Sequence, residues 1–166
     1  MSDSAIKSLR NIFSRLEKSV NEALARSQME DLGHFAVDLV VKRTRLGYGV
    51  DKQFGTKSPL QGLTLNYIKR RKKIGLDKTT SARKSNLTNT GQLLRSVDII
   101  DAKKGSLRFG PTGRRADSSA TNLEIADFQE RKGRIFNRIS QLEFNQILRE
   151  YRITFGDLLR KNRLLR

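Results

Sequence analysis

The densest chemistry in this chain of 166 residues is Lys69-Arg70-Arg71-Lys72-Lys73, five adjacent cations behind Asn66-Tyr67-Ile68. Neighbouring cations repel and cannot be buried without partners, so the run needs water or an anionic surface beside it. Its surroundings are basic too. From Lys42 to Lys84 stand Lys42, Arg43, Arg45, Lys52, Lys57, the five cations, Lys78, Arg83 and Lys84 against Asp51 and Asp77, thirteen against two, or +11 of the formal +17. A local excess of this kind attracts a polyanion with salt-dependent affinity. The nearby aromatics are Tyr48, Phe54 and Tyr67, too few stacking platforms for sequence-specific readout. Two other readings fit the same residues: a solvated run that aids solubility, and docking on an acidic face of a neighbouring protein. Lys69 to Lys73 with Arg83 and Lys84 are the expected contacts, and Arg114 and Arg115 are the second choice.

Other reactive side chains are sparse. His34 is the single histidine, and a Ser–His–Asp triad would need partners at fixed geometry around it. With no second histidine and no cysteine, a zinc site would rest almost wholly on carboxylates, poor chemistry for zinc. A surface or half-buried role for His34 is expected. Asp98 and Asp101 flank a strand-like run, where acidic pairs in nucleases hold magnesium, but solvated strand ends explain them more simply. Gly110-Pro111-Thr112-Gly113 lacks the following Gly-Lys-Ser/Thr of a phosphate-binding loop. The expectation is a protein that is no enzyme and carries no cofactor or metal.

The elements that must position the basic run belong to a small α+β protein. The length fits one domain with extended arms, and 36% hydrophobic residues allow a modest core. A net +17 favours anionic partners: nucleic acid, an acidic protein surface or an anionic membrane. The longest apolar run, Phe35 to Val41, holds Asp38 and falls well short of the roughly 20 residues of a membrane span. Met1-Ser2-Asp3-Ser4 does not read as a secretion signal, so synthesis in a cytoplasm is expected.

Along residues 4–28, Ile6, Leu9, Phe13, Leu16, Val20 and Leu24 recur at helical spacing, with Ser4 as N-cap; this face is expected to be core more than partner surface. A second helical pattern runs from Met29 to Arg45, and the two join in one long helix if Gly33 only weakens the join. Residues 46–64 and 75–86 read as long loops, with a short helix at Leu65 to Ile74 between them. Val97 to Ile100 and Ser106 to Gly110 predict a hairpin around Lys103-Lys104-Gly105. Pro111 to Ser119 reads as a second loop, and Asn122 to Gln129 as a short helix or a third strand. Ser140-Gln141-Leu142-Glu143 is a capping box opening a helix. Gly156-Asp157 is expected to break that helix, dividing a domain at 1–155 from a C-terminal extension at 156–166. The extension places Leu158, Leu159, Leu164 and Leu165 among cations; such a terminus folds back or docks on a neighbour, and docking is the expectation.

The order of four passages resembles the phage tail-completion or neck proteins of the virion morphogenesis family. They are Arg43-Thr44-Arg45-Leu46-Gly47 with the glycine-rich stretch to Phe54-Gly55; Leu63-Thr64-Leu65-Asn66-Tyr67 leading into the basic run; Leu87 to Val97; and Arg134-Ile135-Phe136-Asn137-Arg138-Ile139-Ser140. The likeness spans Thr44 to Tyr151. It departs where the family often has alanine, histidine and glycine, because Ala126-Asp127-Phe128-Gln129 runs on to Gly133 without a histidine. The resemblance implies a structural virion protein. Identical subunits would form a sixfold homo-oligomeric ring in the neck, between a head-closure or connector protein and a tail terminator or tail tube, with genomic DNA in the lumen and no membrane. On that picture the loops order as the next ring docks. The alternative is a standalone basic nucleic-acid-binding protein, ribosome- or nucleoid-associated.

Overall fold

The computed structural model describes residues 3–53, 55–73, 92–114 and 119–165. The architecture is α+β, built from α1 (Asp3–Ala23), α2 (Arg26–Arg45), β1 (Tyr48–Val50), β2 (Lys57–Pro59), α3 (Leu65–Lys73), α4 (Gln92–Arg95), β3 (Val97–Lys103), β4 (Ser106–Pro111), α5 (Asn122–Arg131) and α6 (Gln141–Lys161). The expected loop 75–86 and the passage Leu87 to Gly91 lie outside the described residues.

The β3–β4 hairpin sits where the alternation placed it. Lys104 and Gly105 form the turn, and Gly105 takes the left-handed φ of 69° that a side chain would resist. Register slips between Ile99 and Asp101, leaving Ile100 as a bulge that turns its side chain outward. Helix α2 lies under this hairpin. Its Gly33 allows the close approach, since a Cβ there would come within 2.7 Å of Ile99 Cδ1 and 2.8 Å of Leu107 Cδ1. The core forms where α2, α4, the hairpin and α5 meet. Leu93, Leu94, Val97, Ala126 and Phe136 are buried there, with Val37, Val41, Phe109 and Ile125 packed around them.

Several expectations change. The first two helices are separate, because Ala25 is extended at φ −58° and ψ 151°. The hairpin turn meets the break: the Gly105 N–H donates to the Leu24 carbonyl at 3.2 Å. Ser4 lies inside α1, which already begins at Asp3, so it is not the N-cap. Residues 46–64 are not wholly loop. They contain the antiparallel β1–β2 ribbon, anchored through Val50 N–H to Ile135 O at 2.8 Å and Leu60 N–H to Gly47 O at 2.9 Å. The Leu60–Gly47 bond extends the ribbon's own ladder, whereas Ile135 is distant in sequence, and the strands are too short to carry an alternating pattern. The Asn122 segment is helix α5, capped reciprocally by Thr121 and Glu124. Gly156 does not end α6, which continues to Lys161, so the boundary expected at 155/156 falls within one helix. A helical glycine costs about 1 kcal/mol relative to alanine. The packing of α6 on α1 continues past it: Asn162 Nδ2 donates to Ser19 Oγ at 2.9 Å.

Candidate partner-binding surfaces

Helix α3 carries the basic run. Thr64 Oγ1 accepts from the Tyr67 N–H at 3.4 Å, a weak cap at its start, and Lys69 to Lys73 fill its last turns. Cations there complement the partial negative charge of a helix C-terminus, which explains why so basic a sequence can be helical. Lys69, Arg70 and Lys73 are exposed; the side chains of Arg71 and Lys72 lie outside the described ones. Among the described residues no helix or sheet packs extensively on α3. The segment before it is tied to the body by Arg134, whose Nε and Nη2 reach the carbonyls of Gln61 and Gly62, both at 3.4 Å. Leu65 at its start is exposed, an apolar group beside the charge.

Further cations follow the end of α2. Lys42 and Arg45 are exposed in or beside its last turn, and Lys57 on β2 sits 4.1 Å from the centre of the Tyr48 ring. Arg114 is exposed, and its backbone is held by a bridge to Thr121. Arg83, Lys84 and Arg115 lie outside the described residues.

Arg43, counted in the sequence with this basic surface, is not part of it. It is buried between α2 and α6 with Glu143; their side chains are 5% and 7% exposed. Arg43 Nη1 donates to Glu143 Oε2, and Nη2 donates to the carbonyls of Phe136 at 2.5 Å and Arg138 at 3.0 Å. Burial pulls the guanidinium below its ordinary range, and the adjacent carboxylate opposes that pull. An arginine so placed stays charged in any physiological buffer. Glu143 Oε2 also accepts from the Ser140 N–H at 2.8 Å and the Ser140 hydroxyl at 2.7 Å. One carboxylate therefore closes the α6 capping box and pairs with α2. Sequence reading recognised the cap, and nothing in the spacing pointed to a partner one hundred residues away.

The terminal leucines belong to the end of α6 and the turn after it. Leu158, Leu159 and Leu164 are half-buried and Leu165 is exposed. The helix that bears them folds back on α1 of its own chain. Helix α1 overturns the expectation that its apolar face is core. Leu9, Phe13, Leu16 and Val20 are 43%, 65%, 39% and 37% exposed. Spacing alone did not separate the two outcomes, because Ile6, Leu9, Ile12, Phe13, Leu16, Val20 and Leu24 form a stripe that a core helix also carries.

The remaining candidates for chemistry are dispersed. His34 is exposed on α2 and lines an open cleft of about 520 Å³ with Arg26, Glu30 and Asp101. The charges there are already paired, Arg26 with Glu30 at 2.8 Å and Lys103 with Asp101 at 3.0 Å. Asp98 Oδ1 accepts from the Ile99 N–H at 2.8 Å. Among the described residues no group of three or more His, Asp or Glu side chains is placed to hold a metal ion, and no helix is long and apolar enough to cross a membrane.

Comparison of the chain with family models, curated proteins and solved structures returned no match.

Proposed function

We propose that this chain is a structural virion protein of a tailed phage, forming a sixfold ring in the neck that joins the head connector to the tail around the DNA channel. The observation that carries the reading is the relation among the passages of likeness. Arg43, in the first, bonds the carbonyls of Phe136 and Arg138, in the last, and Arg134 of the last reaches the residues just before Leu63, where the second begins. Three separated stretches thus form one structural joint from which the basic helix α3 projects. A joint of this kind, carrying a charged arm, suits a subunit that bridges neighbours. Its role is geometric and electrostatic: the body closes a head-to-tail ring, while Lys69 to Lys73 meet DNA or an acidic neighbouring ring. On this reading the protein catalyses no reaction, holds no cofactor, and resides at the head–tail interface after synthesis in the host cytoplasm. Its partners are its own copies, a head-closure or connector protein, and a tail terminator or tail tube protein.

The test is deletion of the gene from the phage that encodes it, followed by electron microscopy of the lysate. Filled heads and free tails that fail to join, rescued by the gene supplied in trans, are expected. Normally joined particles would overturn the reading.

The exposed cations of α3 favour one second reading, a standalone nucleic-acid-binding protein. In that case binding to duplex DNA needs no virion partner. Neighbouring genes for portal, head-closure and tail-tube proteins argue for the neck; ribosomal or chromosomal neighbours argue for the second reading.

A further inference from the structure

Helix α1 exposes an apolar seam that no element among the described residues covers. Leu9, Phe13, Leu16 and Val20 occupy the a and d positions of a heptad pattern, and Phe13 in the middle is the most exposed of them. Helix α6 covers the adjacent side of α1, where Ser19 and Ala23 are fully buried and Asn162 reaches Ser19 and Glu22. Among the described residues no other element packs extensively on α1. Arg10 and Glu17 border the seam on the edge away from α6, seven residues apart and both exposed. Among the described residues neither makes an ion pair.

We infer that this seam is covered by α1 of a second copy of the chain, running antiparallel across a two-fold axis. The antiparallel register sets Leu9 against Val20 of the second copy and Phe13 against its Leu16, and symmetry repeats both layers. The same register brings Arg10 beside Glu17 of the second copy, again twice, so each unpaired charge finds its opposite. A parallel pair would set Glu17 against Ile12 of the other copy and leave the charges unmatched. The charge pattern therefore selects both the occupant and its direction. A contact between identical faces is complete at two copies. It is a dimer of the unassembled protein, distinct from the head-to-tail contacts of a ring, and it hides an apolar face that would otherwise associate non-specifically. This inference goes beyond the neck reading and does not rest on it.

Sedimentation of the full chain across the micromolar range tests it. The wild type is expected at twice the chain mass. Phe13→Glu is expected to sediment as a monomer with unchanged circular dichroism, since the side chain lies on the surface. Arg10→Glu places like charges at both flanking contacts and is expected to weaken the dimer about tenfold. Adding Glu17→Arg restores opposite charges and is expected to recover wild-type affinity. A monomeric wild type overturns the inference, as does any oligomer indifferent to Phe13→Glu or a charge swap without rescue. A monomer that cosediments with phosphatidylserine vesicles through the same stripe overturns it too. Each of these outcomes leaves the gene-deletion test of the neck reading unaffected.

Discussion

Arg43 and the cations of α3 are the same chemistry put to opposite uses. Arg43 is enclosed between two helices, with a carboxylate and two carbonyls fixed around it. Lys69, Arg70 and Lys73 are exposed on a helix on which no other described element packs extensively. A charge in a dry site is committed to its partner, because leaving it unpaired is costly. A charge in water is free to exchange its hydration and counterions for a polyanion. Net charge alone therefore overstates the surface available for binding, and it misses the cation that joins α2 to α6.

The largest effect should come from the enclosed cation. Arg43→Ala strands Glu143 in a buried site and is expected to cost about 3–5 kcal/mol of unfolding free energy, read by urea denaturation. A loss below about 1 kcal/mol would mean that the pair is not dry and would erase the contrast with α3. Next, Ser140→Ala removes the cap that shares the same carboxylate, with an expected loss of about 0.5–2 kcal/mol in the same assay.

A smaller, pH-dependent effect is expected at the α5 cap. The Thr121 backbone N–H, and then its hydroxyl, hold the Glu124 carboxyl below its ordinary value of 4.5. A carboxyl depressed on folding stabilises the protein above its unfolded value, and that contribution is lost as the pH falls through the folded value. Glu124→Gln should therefore be less stable than wild type at neutral pH. The difference should shrink as the buffer is acidified below 4.5. A difference that grows on acidification would contradict the cap.

The smallest effect on stability belongs to the arm. Replacing Lys69, Arg70 and Lys73 together by alanine should shift the unfolding free energy by no more than about 0.5 kcal/mol per site. The same variant should bind duplex DNA more weakly, with a salt slope shallower by about 0.9 for each phosphate contact removed. Unchanged DNA affinity would take these residues out of nucleic-acid contact and leave docking on an acidic protein or a solvated, solubilising run.

How legible these features were depends on how local their causes are. The α6 start was readable because Ser140 and Glu143 are three residues apart. Thr121 and Glu124 carry the same signature, and giving it equal weight would have decided helix over strand for α5. The β3–β4 hairpin followed from alternation and a glycine turn. The β1–β2 ribbon did not, because its strands are three residues long and its bond to the body runs to the distant Ile135. Gly156 looked like a stop, and packing of α6 against α1 carried the helix through it.

By itself the sequence determined the α+β class, the capping box of α6, the hairpin and the position of the basic helix, because each rests on residues within a few positions of one another. The tertiary structure alone decided that Arg43 is buried, that α1 parts from α2 at Ala25, and that the apolar seam of α1 faces outward. Those outcomes depend on which surfaces meet across long stretches of chain, and residue order does not encode which face of an amphipathic helix finds a partner.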